Sequence, residues 1–283
     1  MPENRPLLAV HLHLYYRDMW KEIRELLANI EDYPYDLYVT MVEEDASITQ
    51  DIKAFKPDTK IKIVENRGYD IGPFIDFLHD IDLDKYDLVL KIHTKNKAPG
   101  PRTYMANYII NRPLWAKLLT HSLLGSPKQF KKNIMKFEKN DSLGMIGSKY
   151  LILSNPKCSK DIMSQINQRL EEWGYQPVPM KFIAGTMFMC RAKLLEPIKN
   201  SYRLTDFEPT DGSVRDGTLA HVMERLFGCA ITAQGYKIEG CGAFSPAVML
   251  RKIYRFLYVG KQTKSGYHLI KICKLPVYWH KVS

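Results

Sequence analysis

The chain has 283 residues, 45% of them hydrophobic and 25% charged, and a formal net charge of +10. That composition belongs to a globular protein with a sizeable core and excludes a disordered chain. The start, MPENRPLLAV, lacks the basic segment and long apolar core of a secretory signal, and no apolar run approaches the roughly 18 residues of a membrane span, so a cytoplasmic protein is expected.

Leu7 to Tyr15 reads as a strand, and Arg17 to Ile30 carries Trp20, Ile23, Leu26, Leu27 and Ile30 at helical spacing. Tyr35 to Val42 is a second strand, after which Ser47 can cap a helix reaching about Phe55. Ile61 to Val64 is a third strand, Asp70 stands where a helix to about Leu78 would start, and Leu88 to His93 is a fourth strand. Strands and helices alternating at this spacing imply an α/β fold with a mainly parallel central sheet covered by helices on both faces.

Beyond Lys97 the rhythm changes. APGP breaks the chain, and Tyr104 to Leu124 and Lys128 to Phe137 read as helices, a helical insertion over about residues 99–142. A short strand, Leu143 to Ile146, and a helix around Ile162 to Trp173 follow. Lys181 to Cys190 is then a strand broken by Gly185, where a glycine suggests close approach of a ligand or another backbone. With no repeat, low-complexity tract or long linker in view, residues 1–250 are expected to form one domain.

The basicity is concentrated at the end. Residues 251–283 hold eight of the 41 Lys and Arg and none of the 31 Asp and Glu, which leaves +2 for residues 1–250. A helical projection puts Arg251, Lys252 and Arg255 opposite Ile253, Phe256 and Leu257, and a second amphipathic helical piece sets Lys271 and Lys274 against Leu269, Ile270, Ile272 and Cys273. Such a tail suits an anionic membrane surface better than nucleic acid, for which no recognition motif is present. The five cysteines are scattered, with no CxxC pair and no His partner at ligand spacing, which leaves packing as their role.

Chemistry is expected at the carboxyl end of the sheet, where ligands bind in open α/β folds. The turn Glu65-Asn66-Arg67-Gly68 follows the third strand, and the fourth delivers Lys91, His93, Lys95 and Lys97. Neither GxxxxGK[ST] nor GxGxxG is present, which argues against a P-loop or a dinucleotide site. A metal-dependent sugar transferase would usually place Asp-x-Asp after the fourth strand, but Lys-Ile-His-Thr-Lys stands there. Asp80, Asp82 and Asp84 precede that strand and fall at its opposite end. Lys91, Lys95 and Lys97 can instead neutralise a leaving diphosphate; side chains alternate along a strand, so not all point one way, and His93 and Lys95 are the better candidates. Farther on, Asp216 would sit at a helix N-terminus, sharing a face with Ala220 and Glu224, with His221 nearby.

Taken in order, VHLHLYY, ENRGYDIGPF, YDLVLKIHTK, FIAGTMFMCRAKLL and DGTLAHVMERLFG resemble the rhamnan synthesis protein F family of bacterial polysaccharide glycosyltransferases, from about Val10 to Gly228. The resemblance implies a GT-A-like nucleotide-sugar fold and sugar transfer onto a cell-surface glycan. It gives Asp216 as catalytic carboxylate, with His221 and Glu224 beside it. The donor-binding set is then His11, Asn66, Arg67, Gly68, Asp70, Lys91, His93, Lys95, Gly185 and Thr186. The expected donor is a nucleotide-diphosphate sugar, dTDP-L-rhamnose by family name, and the acceptor a lipid-linked saccharide at the inner membrane face. No cofactor is required in this reading, with Mg²⁺ or Mn²⁺ as the alternative. A catalytically silent nucleotide-sugar-binding scaffold is the other function considered.

Overall fold

The computed structural model describes residues 5–30, 32–95, 103–105, 108–156, 159–210, 217–262, 267–272 and 275–281, with side chains described outside 103–110, 254–256 and 258–281. Strand β1 (Leu8–His13) is buried along its whole length. Helix α1 (Trp20–Leu27) buries Trp20, Ile23, Leu26 and Leu27, the stripe its spacing predicts. β2 (Tyr35–Met41) leads to α2 (Ala46–Phe55), which is capped by Asp45 rather than Ser47: the Asp45 backbone is extended and its carboxylate accepts from Ile48 N at 3.1 Å, while Ser47 lies within the first turn. β3 (Lys60–Ile63), α3 (Ile71–Asp80) and β4 (Leu88–His93) follow.

The helix expected from Tyr104 starts later. β5 (Thr103–Met105) and β6 (Tyr108–Ile110) pair antiparallel, and α4 (Arg112–Leu124) begins only after Asn111, whose side chain accepts from Leu114 N at 3.1 Å. The run Tyr108-Ile109-Ile110 favours extended backbone, and Asn111 followed by Pro113 marks the true start. α5 (Pro127–Glu138) is capped by Ser126, and β7 (Leu143–Ser148), β8 (Ile152–Ser154), α6 (Lys160–Glu172), β9 (Lys181–Ile183), β10 (Phe188–Arg191), α7 (Glu196–Ser201), α8 (Leu219–Ala233) and β11 (Lys237–Cys241) complete this part. The described cysteines Cys190, Cys229 and Cys241 are all buried thiols, which burial makes harder to ionise at Cys190 and at Cys241, the latter pushed up to about 12.

The end of the chain differs from expectation. α9 (Pro246–Leu257) is helical, but β12 (Tyr258–Gln262), β13 (Tyr267–Ile272) and β14 (Leu275–Lys281) form a three-stranded antiparallel sheet where a second amphipathic helix was expected. Aromatic and β-branched residues at close intervals, with Pro276 inside the run, override the apparent helical period. Lys274 and Cys273 lie outside the described residues. No helix among the described residues is long and apolar enough to cross a membrane.

Contacts divide the chain into two compact units, Met1–Asn96 with Ala116–Gly242, and Lys97–Trp115 with Ala243–Ser283. The first holds a seven-stranded sheet of order β11-β7-β10-β4-β1-β2-β3. β3, β2, β1 and β4 are parallel, and β10 runs antiparallel to both neighbours, β4 and β7. The sheet is thus mainly parallel, as the alternation predicts, and β1, β4 and β7 are buried throughout, as strands covered on both faces are. The edge strand β3 exposes Lys60, a charge that disfavours strand addition. Phe74 of α3 meets Phe188 of β10 and Phe227 of α8 at ring distances of 5.8 and 5.6 Å, which fixes both helices against the sheet near its centre.

Candidate active site

The register of the central strands sets a row of polar side chains. His11 pairs with Lys91 and His13 with His93 across β1 and β4, and Thr40 of β2 pairs with His13. Residues two apart share a face, so Lys91 and His93 point the same way. That face is the one under α3: the His11 ring stacks on Phe77 at 4.8 Å, and Lys91 Nζ lies 5.4 Å above the Phe74 ring.

Lys91 is 0% exposed, so its charge has to be answered within the fold. Asp70 answers it. The Asp70 carboxylate forms an ion pair with Lys91 and accepts from the Thr186 hydroxyl, while Lys91 also donates to Thr186 O at 3.0 Å. Asp70 stands at the N-terminus of α3 as expected, but its side chain makes no capping bond, being directed to Lys91. Burial alone would raise the Asp70 carboxyl; His93, Lys91 and the Thr186 hydroxyl overcome it and hold the group ionised well below the usual carboxylate range. Burial draws the Lys91 ammonium below its ordinary value, with Asp70 opposing.

His93 is enclosed by acceptors. Its Nδ1 lies 3.0 Å from Thr94 O, its Nε2 lies 3.0 Å from Gly185 O, and Asp70 is 3.7 Å away. Two carbonyls and a carboxylate favour a doubly protonated ring, whereas burial lowers its pKa and prevails. Gly185 and Thr186 both have positive φ, 88° and 53°. The strained Thr186 is held by its bonds to Asp70 and Lys91, and Gly185 N donates to Glu224 Oε1 at 2.7 Å. The break between β9 and β10 thereby joins α8 to α3 and β4.

Asn66, Arg67 and Gly68 form a second group above the end of β3. Arg67 bridges to Pro209, Gly68 N donates to Glu208 O at 3.1 Å, Thr210 N donates to Asn66 O at 2.8 Å, and Arg67 Nη1 donates to Phe207 O at 3.0 Å. Gly68 has φ +63°, and a Cβ there would lie 2.5 Å from the Phe207 ring. The segment 207–210 thus extends from this turn toward α8, where both Glu208 carboxylate oxygens lie 3.3 Å from Leu219 N. His221 is set by Thr218, 2.7 Å from its Nδ1, and its ring meets Tyr69 edge-on at 6.2 Å.

The structure therefore brings together His11, Asp70, Lys91, His93, Gly185, Thr186 and Glu224, and holds Asn66, Arg67, Gly68 and His221 in contacts of their own. Lys95 lies half-buried just past β4. Asp216, Asp211 and Lys97 fall outside the described residues; α8 itself begins at Leu219, three residues beyond Asp216. His13, Thr40 and Glu208 were not singled out. The Thr40 hydroxyl lies 3.0 Å from both His11 Nε2 and His13 Nδ1, and because a hydroxyl carries one proton it donates to at most one ring. Burial holds both rings neutral, lowering His13 to about 3 and His11 well below its ordinary value. The signal was available, since histidines two apart in a buried strand must share a face.

Asp80, Asp82 and Asp84 lie before β4, at the end opposite His93, and have structural partners: Lys62 holds Asp80 at 2.9 Å, Asp82 caps a turn at Asp84 N, and Lys193 holds Asp84 at 3.0 Å. Among the described residues no group of three or more His, Cys, Asp or Glu could hold a metal ion. Asp70, the carboxylate beside His93, is already neutralised by Lys91, so the described donor set does not fit Mg²⁺ or Mn²⁺.

The rhamnan synthesis protein F family model matches residues 3–236, and the chain belongs to that family. Its mainly parallel sheet, flanked by helices, agrees with the α/β class expected from the sequence. The uncharacterized protein WxcX of Xanthomonas campestris pv. campestris (strain B100) is 24% identical over 237 residues, covering 82% of this chain and 32% of its own length, so the match spans about a third of that relative. Among solved structures the chain is similar to S. aureus TarS 1-349, at 11% identity and TM-score 0.41, covering 80% of this chain and 55% of that one. It is similar also to the mannosyltransferase PcManGT from Pyrobaculum calidifontis in complex with GDP-Man and Mn²⁺, at 14% identity and TM-score 0.41, covering 85% and 56%. At those scores neither likeness bears on the chemistry of this chain.

Proposed function

We propose that the chain is an inverting glycosyltransferase that passes a sugar, L-rhamnose from dTDP-L-rhamnose, to a lipid-linked saccharide at the inner face of the cytoplasmic membrane. The observation that supports it is the buried Asp70–Lys91–Thr186–His93 cluster at the carboxyl end of the sheet, beside the Asn66-Arg67-Gly68 turn, in a chain of this family. An acceptor hydroxyl oxygen attacks the anomeric carbon in line, the bond to the diphosphate oxygen breaks, and the hydroxyl proton passes to Asp216 as general base. Lys95 and Arg67 face the charge that grows on the leaving diphosphate, while His93, its ring nitrogens taken by Thr94 O and Gly185 O, positions the Gly185 corner. Lys91, fully buried against Asp70, is a positioning residue: it holds the carboxylate and the Gly185–Thr186 corner that wall the donor sugar. Asn66, Arg67 and Gly68 bind the donor nucleotide.

The test is a thermal-shift screen of nucleoside diphosphates and nucleotide sugars on the full chain, followed by donor turnover with and without EDTA. Selective stabilisation, turnover that survives chelation, and a fall of about 10²-fold or more in Asp216→Asn with an unchanged donor-induced shift are expected. Stabilisation without hydrolysis or transfer leaves the scaffold function. Wild-type turnover in Asp216→Asn moves the base to Asp211, Glu208 or Glu224, and loss in EDTA with rescue by Mn²⁺ places metal-binding carboxylates outside the described residues.

A further inference from the structure

Helix α9 presents an apolar face that stands exposed among the described residues. Met249, Leu250, Ile253 and Leu257 are 45%, 66%, 47% and 47% exposed, and Phe244, just before the helix, is 64% exposed. At about 100° per residue the four helical positions fall within an arc of about 100°. Lys252 borders that arc on one side, and Val248, which is buried, lies roughly opposite it, as does Arg251. The helix therefore has a defined inner side at Val248 and turns its largest aliphatic side chains outward. Isolated surface aliphatics need no explanation, but four on one stripe do.

Charge selects what covers it. From Arg251 onward the sequence has eight Lys or Arg and no Asp or Glu. A second copy of this chain would bring an equally cationic segment to the same face and be repelled. An anionic bilayer meets both features: the aliphatic stripe enters the boundary between headgroups and acyl chains, and the bordering, exposed Lys252 extends along it to lipid phosphates. We infer that the Met249–Leu257 face of α9 is a seat for an anionic lipid surface. The strands after α9 replace the second amphipathic helix expected from the sequence, so the seat is this one helix and not the whole tail. The inference concerns a partner of the proposed transferase but draws nothing from the donor site.

It is tested by co-sedimentation of the full chain with vesicles of phosphatidylcholine alone and of phosphatidylcholine mixed with phosphatidylglycerol. Binding to the mixed vesicles, absence from the neutral ones and release by added salt are expected. Leu250→Glu with Ile253→Glu should weaken binding by about tenfold or more, because both the apolar insertion and the attraction to lipid phosphate are opposed. Both positions are exposed, so the melting temperature should hold; if that variant does not fold, Lys252→Glu alone should still reduce binding to the mixed vesicles. Failure to bind them, equal binding by the charge-reversed chains, or a dimer in solution that the double variant converts to monomer overturns the inference. A nucleotide-induced thermal shift measured on the same variants separates loss of the seat from failure of the donor reading.

Discussion

A lysine at the centre of a buried strand is among the costliest residues to place, and the way Lys91 is accommodated governs its neighbours. Its ion pair with Asp70 makes the two residues interdependent: Asp70→Asn leaves an uncompensated cation in the core and should lower stability by about 3–5 kcal/mol, while Asp70→Asn with Lys91→Met should recover much of the loss. Urea unfolding of the three proteins checks this, and equal stability of the single and double variants would show that the pair does not act as a unit. The histidines add a pH dependence. His13 stays neutral in the folded protein down to about pH 3, whereas an unfolded histidine takes a proton near pH 6.5. Stability is therefore intact above about 6.5 and falls as pH drops toward 3, by about 1.4 kcal/mol per unit once proton uptake by the unfolded chain is complete, and His11 acts in the same direction. Below about pH 4 Asp70 adds to the loss, because its folded pKa is depressed relative to the unfolded carboxyl. Urea midpoints between pH 7.5 and 5 should decline in the wild type and less in His13→Gln; a flat profile would mean the rings are charged when folded.

At the scale of elements, the turn after β3 carries the clearest backbone requirement. Gly68 combines φ +63° with a Cβ position already occupied by Phe207, so Gly68→Ala should cost about 1–3 kcal/mol and separate the turn from segment 207–210. The donor-induced thermal shift should shrink in that variant, and an unchanged shift would remove the turn from the donor site. This turn, the four parallel strands and helix α1 were legible in the sequence because each is written in local periodicity or in glycine placement. Other features were not. The start of α4 was misread because apolar spacing continues smoothly from an extended segment into the helix, and only Asn111 and Pro113 mark the junction. Ser47 gave way to Asp45 as the cap of α2 because the carboxylate stood where the backbone was still extended. In β13, spacing that suits a helical projection suits a half-buried strand as well, and strand pairing, which is non-local, decided between them.

For the whole molecule, the feature hidden from local reading is the reversed strand β10. Its insertion between β4 and β7 brings Gly185 and Thr186 onto Asp70, Lys91 and His93, about a hundred residues earlier in the chain. Periodicity identifies a strand broken at Gly185 but not its direction or its neighbours, so the residue types of the site were foreseeable while the partnership of Asp70 with Lys91 and Thr186 was not. That closure makes Lys91 a chemical reporter. An amine-acylating reagent should modify Lys193, whose side chain is 73% exposed, soon after mixing, whereas Lys91, at 0%, should stay unmodified until the sheet opens around it. Timed acylation read by peptide mass spectrometry would then follow opening of the sheet at a single position, with Lys91 labelling in proportion to the open population. Modification of Lys91 as fast as Lys193 would show that this end of the sheet opens locally without unfolding the rest.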